Sequence, residues 1–201
     1  KVVAPTADSF IIDGTNIGYL AVFSFAENTP EQFDQALRAL QSEGAKGLVI
    51  DLRGNPGGLL QAAVEMLSRF VEDKLVVKMR FKGGKEQVES TEHGRVMEPI
   101  GPVVVLINEE SASAAEIFSG VMRDYKLATL VGEHTYGKAS VQNLFMLIDG
   151  SSAKVTIARY YLPSGQDVGR KVDDDGQYIS GGIMPDVEVE LSLNPKTMMS
   201  D

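Results

Sequence analysis

Apolar positions along the chain keep switching between a two-residue spacing and a three-to-four-residue spacing. Residues 2–12 and 17–23 are rich in β-branched and aromatic side chains, and the turn signal Asp13-Gly14-Thr15-Asn16 separates them, which predicts a pair of strands. The rhythm then changes. Thr29-Pro30-Glu31-Gln32 offers a capping Thr, a first-turn Pro and a Gln three residues on, and Phe33, Ala36, Leu37 and Leu40 follow at helical spacing up to Gly44. Residues 46–52 form a short apolar run of the kind buried in a parallel sheet, and they lead into Arg53-Gly54-Asn55-Pro56-Gly57-Gly58. A second helix is predicted over residues 59–70, with Leu60, Ala63, Val64 and Leu67 on one face.

Residues 75–81 alternate as a strand, and the polar, Gly-containing stretch 82–98 reads as a loop or loose hairpin. A buried strand follows at 103–108, then a helix over 111–125 with Ala114, Ile117, Phe118, Val121 and Met122 in register, then a strand at 128–131. Beyond Gly137 the pattern is all-β: strands at 140–148 and 152–161 flank Asp149-Gly150, a hairpin signal, and a Gly-, Asp- and Pro-rich tail is expected to wrap irregularly. The βαβαβ order of the middle half implies right-handed crossovers and a mostly parallel sheet. No repeat and no internal linker divides residues 1–201, so they read as one unit.

Composition narrows the function. At 43% hydrophobic and 23% charged, 201 residues suffice for a globular core without a disulfide or metal staple. A formal charge of -9 disfavours nucleic acid as a partner. Zero Cys and two His leave little to hold a metal, and no cofactor is called for. Apolar runs such as 103–107 are far below the ~20 residues that span a bilayer. The start at Lys1, with neither an initiator Met nor a signal peptide, is what a cut or mature fragment would show.

Three segments can carry chemistry. In Glu109-Glu110-Ser111-Ala112-Ser113-Ala114-Ala115-Glu116, a Ser at a strand-to-helix junction meets the unpaired N–H groups and positive dipole of a helix start, which favour a developing oxyanion. Ser113-x-x-Glu116 also fits an ordinary capping box. Gly132 to Lys138 has the glycine interval of a phosphate-binding loop, but Ala139 stands where a Mg²⁺-binding hydroxyl belongs and a strand follows. Lys138 suits either a solvated loop or a dry site where a neutral Lys serves as a base for a Ser nucleophile. Finally, the Gly57-Gly58 turn can aim backbone N–H groups at a substrate oxygen, or can be a plain strand-to-helix turn.

Taken in order, Asp51-Leu-Arg-Gly-Asn-Pro-Gly-Gly58, Ser111-Ala-Ser-Ala-Ala-Glu-Ile117, Val131-Gly-Glu-His-Thr-Tyr-Gly-Lys-Ala-Ser-Val-Gln142, Tyr161-Leu-Pro-Ser-Gly-Gln166 and Gly182-Ile-Met-Pro-Asp186 resemble the carboxyl-terminal processing peptidases, or tail-specific proteases. The resemblance extends over residues 17–187. That family places its nucleophile at the second Ser of the Ser-Ala-Ser-Ala string, a Lys base 25 residues later and a Gln four beyond, which selects Ser113, Lys138 and Gln142.

By this resemblance Ser113 attacks the scissile carbonyl, Lys138 takes and later returns the proton, Gln142 orients the Lys, and the N–H groups of Gly58 and Ala114 form the oxyanion hole, with Gly57 the second choice to Gly58. Glu116 is left as a helix N-terminal acid. The resemblance further implies a crotonase-like αβ core with added β-hairpins. It also implies unfolded or extended protein C-termini as substrate, a PDZ domain upstream in the parent chain and a location outside the cytoplasm, periplasmic or at the cell surface. It leaves oligomerisation open. Ala115 and Ala139 depart from the commoner Ser and Gly, and neither removes a catalytic side chain. Three alternatives stand beside this reading: a non-catalytic binding domain on the same fold, an acyl-thioester enzyme, and a Ser–His hydrolase using His134. His93, in a polar loop, reads as solvated.

Overall fold

The structure, a computed structural model, describes residues 4–189. The strand expected at 2–12 and the tail are therefore followed only within those limits, and residues 1–3 and 190–201 lie outside them. The main sheet has six strands in the order β1 (Ala7–Ile11), β2 (Ile17–Val22), β3 (Gly47–Asp51), β6 (Val103–Ile107), β7 (Thr129–Gly132) and β12 (Val187–Glu188). β1 is antiparallel to β2 and every other pairing is parallel. A second, antiparallel sheet is ordered β5 (Glu86–Ser90), β4 (Leu75–Phe81), β9 (Ser152–Tyr161), β8 (Ser140–Met146), and β10 (Lys171–Val172) pairs with β11 (Tyr178–Ser180). The fold is mixed α/β, a largely parallel sheet with antiparallel additions, as the periodicities predict.

Three helices, α1 (Thr29–Ser42), α2 (Leu60–Leu67) and α3 (Ala114–Asp124), supply the core with the inward residues of the sheet. Alternation decides which strand positions join them: Leu20, Val22, Leu48, Ile50, Val105, Ile107 and Leu130 are buried, whereas Tyr19, Val49, Val104 and Leu106 between them are half-buried. At the centre, Phe118 of α3 packs edge-on against Phe33 of α1 and Phe70 with ring centroids 6.3 and 6.2 Å apart. No helix among the described residues is long and apolar enough to cross a membrane.

Several expectations are corrected. Thr29 does not cap α1 from outside. It is the first residue of the helix after Asn28, its hydroxyl joining Ala26 N–H and Ser24 O, while Gln32 Oε1 accepts from Thr6 N–H at 2.8 Å and ties α1 to the approach to β1. The polar stretch 82–98, read as a loop or loose hairpin, begins as a hairpin: β5 pairs antiparallel with β4, exposed at most positions, so no alternation marked it as a strand. The tail, expected to be irregular, carries β10, β11 and β12 within the described residues, and β12 is fixed by Asp186, whose carboxylate accepts Leu130 N–H while its own N–H donates to Leu130 O. Helix α3 begins at Ala114 rather than 111, because Ser113 has a backbone no helix contains.

In parallel strands the loops after the carboxyl ends gather on one edge of the sheet. Adjacent strands β3, β6 and β7 therefore bring together the segments 52–58, 108–113 and 133–138, which hold the Gly-Gly turn, the Ser string and the Lys.

Candidate active site

The three loops are hydrogen-bonded directly to one another. Gly54 N–H donates to Asn108 Oδ1 and Ala112 N–H to Asn55 O, both at 2.9 Å, and Tyr136 N–H donates to Ser111 O at 3.0 Å. Ser111 is fully buried and its hydroxyl is committed, donating to Leu52 O at 2.7 Å and accepting Asn108 N–H at 3.1 Å. Of the two serines in the string, only Ser113 keeps a hydroxyl proton with no acceptor among the described residues. It closes a capping box with Glu116: its N–H donates to Oε2 at 2.8 Å, and its side chain faces the Glu116 N–H.

Ser113 sits at φ 56, ψ -114, a conformation costly for a residue with a side chain. Its surroundings enforce it. Gly57 packs so closely that a Cβ there would lie 2.5 Å from Ala112 O and 2.8 Å from Ser113 Cβ. Gly58, at φ 144, would drive a Cβ to 2.1 Å from Phe25 O. Gly57 N–H is taken by Asn55 Oδ1 at 2.8 Å, whereas Gly58 N–H and Ala114 N–H have no acceptor among the described residues. Of the two glycines, only Gly58 keeps a backbone N–H without an acceptor among the described residues.

Ser113, Ala114, Gly58, Lys138 and Gln142 all line one pocket of about 380 Å³. Its apolar walls come from Leu59, Leu60, Met79, Ile117, Val141 and Tyr160. Lys138 Nζ and Ser113 Oγ are not hydrogen-bonded to each other among the described residues, a looseness common in unliganded sites. Gln142 is exposed at a bulge between Val141 and Gln142, and its amide reaches Thr156 Oγ1 at 3.5 Å rather than Lys138. His134 does not line this pocket. Its ring stacks on Tyr178 at 4.3 Å and its Nδ1 donates to Thr135 O at 3.0 Å.

The residue that sequence reasoning missed is Glu116. Fully buried, it accepts four hydrogen bonds: Oε2 takes Ser113 N–H at 2.8 Å and Lys138 N–H at 2.9 Å, and Oε1 takes Thr135 Oγ1–H at 2.6 Å and Gly137 N–H at 2.7 Å. Burial pushes its carboxyl up from the ordinary range while these donors pull it down. Tyr160 completes the brace. Its hydroxyl donates to Lys138 O and lies 3.4 Å from Ser113 O, and burial raises its ionisation well above that of a free phenol. One carboxylate thus holds the amides of both Ser113 and Lys138. A Glu three residues into a helix looks like any cap in sequence, so only the return of the loop 133–138 reveals this role.

Behind the Gly turn, Asp51 closes a second brace, its carboxylate paired with Arg53 at 2.6 Å and accepting the Tyr19 hydroxyl at 2.5 Å. Asp73, Glu72 and exposed His93 form a surface cluster far along the chain from this site, and the Asp73 hydrogen bond raises the His93 imidazole.

Residues 16–189 match the model of peptidase family S41. The chain is 37% identical to a carboxyl-terminal-processing protease of Synechocystis over 180 residues, 90% of this chain and 39% of that protein. It is 36% identical to the carboxy-terminal processing protease CtpA of Bacillus subtilis over 88% of this chain and 35% of that protein. Among solved structures, a photosystem II D1 C-terminal processing protease superposes with a TM-score of 0.79 at 31% identity, covering 94% of this chain and 50% of that one. The chain therefore spans about two-fifths of the length of these curated relatives.

Proposed function

The chain belongs to peptidase family S41, and on that premise we propose that it is the catalytic core of a serine endopeptidase working through Ser113 and Lys138. The observation that carries this reading is the pocket in which a strained Ser whose hydroxyl proton has no acceptor among the described residues, a Lys and two unpaired N–H groups meet. Neutral Lys138 Nζ accepts the Ser113 Oγ proton as Oγ bonds to the scissile carbonyl carbon. The oxygen gains negative charge between the Gly58 and Ala114 N–H groups, worth about 3 kcal/mol per donor in other hydrolases. The C–N bond then breaks as Lys138 returns the proton to the leaving amine, and water, giving its proton to Lys138, releases the acyl group from Ser113. Gln142 is assigned to orienting Lys138 once substrate fills the pocket.

The apolar walls suit the side chain preceding the scissile bond, and a site between a helix start and a Gly turn takes an extended strand, not a folded element. We assign C-terminal tails of proteins as the substrate class, in keeping with the names of the relatives, with a PDZ domain of the parent chain presenting them outside the cytoplasm.

The test is cleavage of an unfolded protein by the full-length enzyme. Ser113→Ala and Lys138→Ala are each expected to lower turnover by about 10⁴ or more, while His134→Ala retains it. The Ser113 change should cost about 1 kcal/mol in stability, the worth of a lost helix cap. Turnover surviving in Ser113→Ala, or lost only in His134→Ala, overturns the assignment.

A further inference from the structure

On the other flank of Lys138 from the apolar pocket lies a larger cleft of about 910 Å³, sharing Lys138, Ser140 and Gln142 with it. Its lining includes Arg159, Arg170, His134 and Tyr136, and the acids Glu109 and Glu110 come from the segment before Ser113. Arg170 is unlike the other described arginines of this edge. Its guanidinium carbon sits 5.8 Å from the Tyr136 ring centroid and 5.6 Å from that of Tyr178, whose other neighbour is the stacked His134 ring at 4.3 Å. Arg159 has Asp167 at 3.5 Å, but Arg170 forms no ion pair among the described residues. Its backbone N–H donates to Gly137 O at 2.7 Å, so the Arg170 backbone is anchored one residue from the catalytic Lys.

A guanidinium held by aromatic faces keeps its N–H fork free and is ordered in advance, which is the arrangement that receives a carboxylate in two parallel hydrogen bonds. A chain of net charge -9 that leaves such a cation unpaired in a cleft beside its base has a use for it there. Lys138 must deliver a proton to the leaving amine, so the peptide on the amine side of the scissile bond departs past Lys138 and into this cleft. Resting on the peptidase reading above, we propose that Arg170 forms a carboxylate-binding subsite for the segment on the leaving side, taking either an acidic side chain or the free terminal carboxylate of a short tail.

The test uses the full-length enzyme and fluorogenic peptides that differ only beyond the scissile bond: Gln replaced by Glu at each position in turn, each peptide made with a free or an amidated C-terminus. One acidic position, or the free terminus at one length, is expected to raise kcat/KM about five- to tenfold, an exposed charge-assisted contact being worth less than a buried one. The advantage should shrink with added salt, collapse to about 1 in Arg170→Gln, and return in part in Arg170→Lys. The same ratios read as Kd on the Ser113→Ala protein cover peptides that turn over slowly. An acid-to-neutral ratio that stays flat across all positions, or one that survives Arg170→Gln, overturns the subsite. A hairpin that merely packs would depress acidic and neutral peptides alike and leave the ratio untouched, which also overturns it. Ser113→Ala silencing every peptide keeps the peptidase reading intact in each of these cases.

Discussion

Replacing Glu116 by Gln changes one atom and should disable the enzyme without unfolding it. The carboxylate offers only acceptors to four donors, three of which are backbone N–H groups that cannot rotate. With the amide nitrogen in the Oε2 position, both Ser113 N–H and Lys138 N–H would face another donor. Turned the other way, the nitrogen faces Gly137 N–H, and the Thr135 hydroxyl can swing to accept, so this orientation should win. One stranded backbone donor costs about 1–3 kcal/mol, and the surviving bonds lose their charge assistance. Relief from burying a carboxylate offsets part of this, leaving a loss of about 2–4 kcal/mol and a fall in melting temperature of roughly 5–15 °C. Because Gly137 carries the loop to Lys138, a shift there displaces the base from Ser113, and a displacement of ~1 Å can cost about 10² in rate. Steady-state cleavage measured well below the melting point should show kcat down about 10- to 100-fold with KM little altered. A Glu116→Gln enzyme with unchanged kcat would refute the idea that this carboxylate sets the spacing of nucleophile and base, whatever its melting temperature.

Gly58→Ala is expected to lower kcat by about 10²–10³, the worth of an oxyanion donor, since the new Cβ would strike Phe25 O and move the N–H; circular dichroism should show the sheet retained, and full activity would exclude Gly58 from the hole. For Asp51, burial pushes the carboxyl up, but hydrogen bonds from Arg53 and Tyr19 outweigh it and hold the carboxyl below its ordinary value. A group with a lowered value in the folded state stabilises above its ordinary value of about 3.9 and loses that contribution as pH falls through the folded value. The stability advantage of the native protein over Asp51→Asn, measured by urea unfolding, should therefore be constant from pH 6 to 8 and shrink below about pH 4. An advantage that grows on acidification would contradict it.

Helices and buried strands were legible wherever one face of an element meets the core, because burial imposes a period: Phe33, Ala36, Leu37 and Leu40 mark α1 as surely in the chain as in the structure. The period vanishes where nothing covers the element. β5 lies with nearly every side chain in water, and β10, β11 and β12 are too short for a rhythm, held instead by particular contacts such as that of Asp186 with Leu130. The same divide runs through the site. Ser113, Lys138 and Gln142, picked out by the interval the family resemblance supplies, line one pocket, but Glu116 engages backbone groups of residues 113, 137 and 138 and Arg170 packs against rings at 136 and 178, partnerships that exist only after the chain has folded back.

The gathering of the three loops at the ends of β3, β6 and β7 bears on when a newly made copy becomes dangerous. On the proposed reading, the nucleophile, base and oxyanion turn come from strands adjacent in the sheet but far apart in the chain, so local structures such as α1 or the β8–β9 hairpin contain no complete cutting device. Long-range parallel pairing is the slow part of assembling such a sheet. On that reading, cleavage becomes possible only once β3, β6 and β7 have paired, by which time the backbone that could have been cut first has been drawn into the sheet.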